Sequence, residues 1–160
     1  MINLSTERCT IRRMKPEDET ALVSLLSDPK VMQYLEEPYT QEQTRAFLKE
    51  FGLSAVPYVY AVCERNSEAF MGYVIFHPYS GEEGYELGWV LHQRYWNRGY
   101  AKELTRNLLT YARAHHIPSL VIECVPEQQG TKAIALQCGF VYVGNVDQCD
   151  VYRNVLTEKA

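Results

Sequence analysis

Between Tyr85 and Val125 the sequence reads as a strand, a glycine turn, a long amphipathic helix and a second, apolar strand. The run "GYELGWVLH" is of β type. "YAKELTRNLLTYARAHH" places Leu104, Leu108, Tyr111 and Ala112 on one helical face, and "SLVIECV" reads as a buried strand. A strand–helix–strand passage of this kind closes as a right-handed parallel crossover. The chain therefore has to build a sheet with helical cover, and all-α folds are excluded.

The remaining segments pair differently. "CTIRRM" reads as a first strand, and Pro16 then suits the first turn of a helix running through "ETALVSLLSD". A second helical stretch is expected after Asp28-Pro29. A third runs through "TQEQTRAFLKEFG", with a Thr40/Gln43 capping box and a stop at Gly52. "YVYAVCE" and "AFMGYVIFH" form a hairpin about "RNSE", and the turn "SGEEG" leads into the strand before the crossover. "GTKAIALQCGF" is a short helix ending at Gly139, after which "FVYVG" and "DVYRNVL" make a closing hairpin. The expectation is a single α/β (α+β) domain over residues 1–160. Its sheet is mixed, mostly antiparallel, twisted and of about seven strands, with helices on both faces.

Composition removes several function classes. A net charge of −4 argues against nucleic-acid binding, and no run approaches the roughly 18 apolar residues of a membrane span. "MINLSTERCTIRRMK" lacks the apolar core of a signal peptide, so a cytoplasmic protein is expected, as monomer or homodimer. The five cysteines include no CxxC pair, and His115 and His116 are adjacent rather than four apart. The reading is reduced, mostly buried thiols and no metal site.

The stretch "RYWNRGYA" carries the chemistry. Helix N-termini offer unpaired N–H groups and partial positive charge, and Gly99 lets an anion approach the backbone. Asn97 is a candidate cap, with Arg94 and Arg98 adding charge. An ordinary strand-to-helix turn is the competing reading. With "ELGWVLHQ" before it, the stretch resembles the GNAT superfamily of acetyl-CoA-dependent N-acetyltransferases, whose signature is Gln/Arg-x-x-Gly-x-Gly/Ala. "WNRGYA" matches at Gly99 and Ala101, with Trp96 in place of Gln or Arg. That replacement, and "SDPKVMQYLEEPYTQEQTRAFL", resemble the Rim-type ribosomal-protein N-acetyltransferase branch.

The resemblance implies acetyl-CoA as cosubstrate and no metal. Backbone N–H groups from Asn97 and Arg98 through Gly99, Tyr100 and Ala101 to Lys102 would hold its pyrophosphate, beside Trp96. Backbone at Trp89, Val90 and Leu91 would pair with the pantetheine arm. The second family motif, Asn-x-x-Ser before Gly-Phe, falls on Gln128 and Thr131 as further cofactor-binding positions. The usual Tyr or Ser acid falls on Ala135, which cannot donate a proton. Cys138, Tyr142 and Thr131 are the donors near it in sequence.

Acetyl transfer to an amine requires a neutral nucleophile, and Glu86 is the candidate base. Its alternatives are a structural carboxylate paired with an arginine, or a binder of cationic substrate. Acceptor-site candidates are Tyr34, Glu36, Glu37 and Tyr39 from the early segments, with Asp147, Asp150 and Tyr152 from the closing hairpin. The expected activity is direct transfer from acetyl-CoA to a primary amine, with a protein or peptide N-terminus favoured. The alternatives are a small amine (polyamine, amino acid or aminoglycoside) and a non-catalytic acyl-CoA-binding module.

Overall fold

A computed structural model describes residues 2–79 and 84–156. The strands are β1 (Leu4–Ser5), β2 (Cys9–Arg12), β3 (Val59–Glu64), β4 (Phe70–Pro78), β5 (Tyr85–Leu91), β6 (Ser119–Cys124), β7 (Val141–Val146) and β8 (Cys149–Val155). The α-helices are α1 (Glu19–Leu26), α2 (Gln41–Phe47), α3 (Tyr100–Ala114) and α4 (Gln129–Gln137). Among the described residues the strands form one sheet of 8 in the order β1-β2-β3-β4-β5-β6-β8-β7. The pair β5–β6 is parallel, whereas β1–β2, β2–β3, β3–β4, β6–β8 and β7–β8 are antiparallel. The mixed α/β expectation holds, with one strand more than the seven anticipated. That strand is β1, whose two residues pair Leu4 with Ile11 and Ser5 with Thr10. Two residues are too few to show a period.

The chain forms two compact units. One comprises residues 1–75 and 89–100, the other 76–88 and 101–160. In the first, Leu22, Leu25 and Leu26 of α1 join Met14, Leu48, Val59, Ala61, Tyr73 and Val90 in a buried core. Each large side chain so buried contributes about 1.5–3 kcal/mol. Phe47 extends this core, its ring 5.5 Å from Tyr73 and 5.3 Å from Phe51. The capping box forms as expected: the Gln43 N–H donates to Thr40 Oγ1 at 3.2 Å, and the Thr40 N–H to Gln43 Oε1 at 2.8 Å. A π turn, Leu48–Gly52, then ends the helix at the glycine the sequence marked.

The helix expected after Pro29 is a run of turns instead. Asp28 Oδ1 accepts the Lys30 N–H at 2.9 Å, a local bond that competes with helix formation.

In the second unit α3 buries Leu104, Leu108 and Ala112, as its period indicates, and Tyr111 is half-buried. β6 buries Leu120, Val121 and Ile122. The closing hairpin turns at Asp147 and Gln148, both with positive φ (51° and 69°). The residues Ser80–Glu83 of the "SGEEG" turn lie outside the described residues. The turn's closing bond, from the Tyr79 N–H to the Gly84 carbonyl, is 2.8 Å.

Gly72 is where the first unit tolerates no side chain. A Cβ there would lie 2.0 Å from the Val90 carbonyl oxygen and 2.9 Å from Leu91 Cα, at a φ of +150°. Gly72→Ala is expected to cost about 3 kcal/mol or more, through backbone displacement and strain. In a chain of this size that is a fall of roughly 10 °C in Tm. An unchanged melting temperature would disprove the close approach of β4 to β5.

Candidate active site

The strand β5 delivers the chain to the turn that the sequence singled out. After Leu91, a 3-10 turn over Gln93–Tyr95 buries Tyr95, and the Trp96 indole Nε1–H donates to the Leu91 carbonyl at 2.8 Å. Trp96, the departure from the usual signature, thus ties the end of the strand to the turn. Asn97 and Gly99 both take left-handed conformations, φ 58° and 81°. Asparagine and glycine adopt this region at least cost.

The helix begins at Tyr100, so Gly99 rather than Asn97 stands at its cap position, and the capping role expected of Asn97 is corrected. The N–H groups of Tyr100, Ala101 and Lys102 open the first helical turn, where no carbonyl four residues back is available. Ala101 contributes its carbonyl to the Thr105 hydroxyl at 2.8 Å. Arg98 is exposed, and its carbonyl is held from outside the motif.

The holder is Arg8, a residue that sequence reasoning missed. Its Nη1 donates to the Arg98 carbonyl at 3.0 Å, and its guanidinium lies 3.9 Å from the Tyr100 ring centroid. Nη2 is 3.5 Å from where a Gly99 Cβ would stand, and apart from the glycine's chain neighbours no other heavy atom of the described residues lies within 4 Å of that point. A guanidinium and a helix N-terminus each attract anions, so the residues present fit the phosphates of a coenzyme A thioester. Only proximity in space brings Arg8 here, since 90 residues separate it from Arg98.

Of the proposed pantetheine positions, Val90 and Leu91 bury their side chains, while Trp89 is half-buried. Their backbone remains the relevant feature. Among the described residues the β5–β6 register comprises Tyr85↔Leu120 and Glu86↔Val121, and β5 runs on to Leu91.

Glu86 lies near the start of β5, and its partner is a histidine rather than the arginine considered from sequence. His77 Nε2 is 3.2 Å from Glu86 Oε1, and His77 Nδ1 is 2.9 Å from the Pro78 carbonyl oxygen. Burial, the largest single influence, lowers the His77 pKa. The hydrogen bond to Glu86, the Pro78 carbonyl and the charges of Glu86 and Glu123 outweigh it, and the net shift is upward. The hairpin register contained the signal. With Tyr79 bonded to Gly84, counting outward along an antiparallel pair sets His77 opposite Glu86.

The second motif is placed on α4. The Gln128 side chain turns back to accept the Val125 N–H at 3.0 Å, which closes the β6–α4 turn, and Thr131 is half-buried in the first turn of α4. Ala135 is wholly buried. The Cys138 thiol is pushed up by burial, against the charges of Arg106 and Lys102.

Among the acceptor candidates, the Tyr39 hydroxyl donates to Glu36. Asp150 has both oxygens engaged, by Lys132 at 2.9 Å and Asn145 at 3.0 Å. These bonds tie it to α4 and β7. Tyr152 packs edge-on against Tyr142. All five cysteines are free, and Cys9, Cys63 and Cys124 are buried. Among the described residues no helix is long and apolar enough to cross a membrane.

The chain is an acyltransferase of the N-acetyltransferase class. More particularly, residues 8–141 match the acetyltransferase (GNAT) domain, and the chain belongs to that family. It is 30% identical to YnaD of Bacillus subtilis, an uncharacterized N-acetyltransferase, across 92% of this chain and 88% of that one. The structure is similar to a GNAT-family acetyltransferase from Bacillus anthracis (26% identity, TM-score 0.88, 98% and 100% covered). Two more distant structures share the fold. One is RimL, a ribosomal alpha-N-protein acetyltransferase in complex with coenzyme A (21%, TM-score 0.76, 98% of each chain). The other is spermidine N-acetyltransferase from Vibrio cholerae in complex with CoA and spermine (19%, TM-score 0.74, 91% and 93% covered).

Proposed function

We propose that the chain, acting as one domain, transfers acetyl from acetyl-CoA directly to the primary amine of a protein or peptide N-terminus. The observation that carries the cosubstrate is the convergence of Arg8 with the left-handed Gly99 turn at the start of α3. In this reading the N–H groups from Asn97 to Lys102 bind the pyrophosphate. Backbone of Trp89, Val90 and Leu91 pairs with the pantetheine amides, and Gln128 and Thr131, at the positions of the family's second motif, are further cofactor-binding residues. Acetyl-CoA supplies the acyl group on a thiolate leaving group. Glu86 removes a proton from the incoming ammonium, which has no lone pair until it does so.

Arg8 gives the first test. Arg8→Leu is expected to weaken acetyl-CoA binding about tenfold, as loss of one charge-assisted phosphate contact does. Isothermal titration checks this, and unchanged affinity would remove Arg8 from the site.

The choice of acceptor rests on the likeness of "ELGWVLHQRYWNRGYA" to the Rim-type branch. Short peptides with free N-termini should be acetylated about tenfold faster than spermidine or free amino acids at equal concentration. A coupled thiol-release assay on a mixed panel measures this. Faster turnover of the small amines would defeat the protein-acceptor reading and leave the acetyltransferase assignment standing.

A further inference from the structure

We propose that His77 is a positioning residue that acts through Glu86, so that the two take up the acceptor's proton as one base. The inference rests on the acetyl-transfer reading above. The Pro78 carbonyl can only accept, so Nδ1 carries a hydrogen. Nε2 then faces Glu86 Oε1 at 3.2 Å. With Glu86 ionised this contact is favourable when Nε2 is also protonated, and it sets lone pair against lone pair when it is not. The pair therefore binds one proton more strongly than an isolated imidazole does.

The chemistry of the acceptor explains the use of such a pair. An ordinary glutamate, with a pKa of about 4.3, is a weak base toward an α-amine near 8. A histidine starts at about 6.5, and here its value is raised. As the acceptor ammonium is deprotonated, one N–H bond breaks and its electron pair stays on nitrogen to attack the thioester carbonyl. The proton passes through the Glu86 carboxyl group and comes to rest between Oε1 and Nε2. The second proton, lost as the amide forms, goes to the departing sulfur, and the pair later returns its own to solvent.

The groups facing His77 favour the doubly protonated ring. Among the described residues they include Glu86 on β5 and Glu123 on β6, and the Glu123 carboxylate also accepts the Tyr79 hydroxyl.

The experiment is an NMR titration of the histidine ring carbons together with pH–rate profiles. The His77 resonance is assigned with His77→Gln. In the wild type its inflection is expected above 6.5, and in Glu86→Gln at least about one unit lower. His77→Gln is expected to move the acid limb of kcat down by at least about one unit, with the KM for acetyl-CoA unchanged. The limb is measured with two peptides of different amine pKa, and it should not follow the amine. An inflection insensitive to Glu86→Gln, or a limb unmoved by His77→Gln or tracking the amine, overturns the proposal. An active enzyme with either result defeats the pair alone. Failure to acetylate any amine defeats the acetyl-transfer reading, and the pair's role with it.

Discussion

Glu86→Gln should turn over about 10²- to 10⁴-fold more slowly than the wild type, the span that a positioned general base supplies. Acetyl-CoA affinity should be unchanged, because the carboxylate is assigned to the amine and the phosphates to a different segment. The amide keeps the shape of the acid, so the protein folds, but it cannot take a proton. Uniform loss of kcat and kcat/KM is then expected, the mark of an interaction made in the transition state. A drop confined to KM would make Glu86 a binder of cationic substrate instead.

The variant also predicts a change with pH, and its sign follows from His77. In the wild type the ring's pKa is raised, so the pair is protonated and inactive below that value, and the rate falls as pH drops through it. In Glu86→Gln the largest raising partner is gone, leaving the Pro78 carbonyl and Glu123 to oppose burial, and this limb should flatten. Stability carries the opposite signature. A raised histidine pKa stabilises the fold fully below its unfolded value of about 6.5, and that contribution fades as pH rises through the folded value. Glu86→Gln should therefore lose more stability at pH 5.5 than at pH 8.5, which denaturant titrations at the two pH values compare.

What was legible in the sequence divides along physical lines. Periods of two and 3.6, the Thr40/Gln43 box and the glycines at 52, 99 and 139 are local signals, and the elements they mark form. The stretch after Pro29 failed because the Asp28 carboxylate bonds the nearby backbone and holds a turn that composition does not reveal. Gly99 marked the turn into α3 but not the helix boundary, since the backbone φ of +81° puts it outside the helix. Trp96 was read as a substitution in a ligand motif, whereas its indole bonds the strand before it. Arg8, Lys132 and Asn145 act at long range or across a hairpin, and pattern gives no notice of them. His77 falls opposite Glu86 once the Tyr79–Gly84 bond fixes the register of their hairpin, and the sequence alone did not fix it.

Gly99→Glu should abolish the thermal stabilisation that acetyl-CoA confers while the apoprotein stays folded. Apart from chain neighbours, the nearest atom of the described residues to an ideal Cβ there is Arg8 Nη2 at 3.5 Å, an ordinary van der Waals contact, so a Cβ is accepted without a clash. Its cost to folding is backbone strain, about 1–2 kcal/mol for a non-glycine residue at φ +81°. Gly99→Ala carries that same strain without the charge and serves as the control. The glutamate adds a carboxylate beside Arg8 and the first N–H groups of α3, where it takes the place and the charge of a phosphate. At saturating acetyl-CoA, the wild type should gain several degrees in Tm and Gly99→Ala most of that gain. Gly99→Glu should gain nothing, although its own melting temperature lies near that of Gly99→Ala. If Gly99→Glu is stabilised as strongly as the wild type, the phosphates sit elsewhere and the role given to the Asn97–Lys102 backbone is wrong.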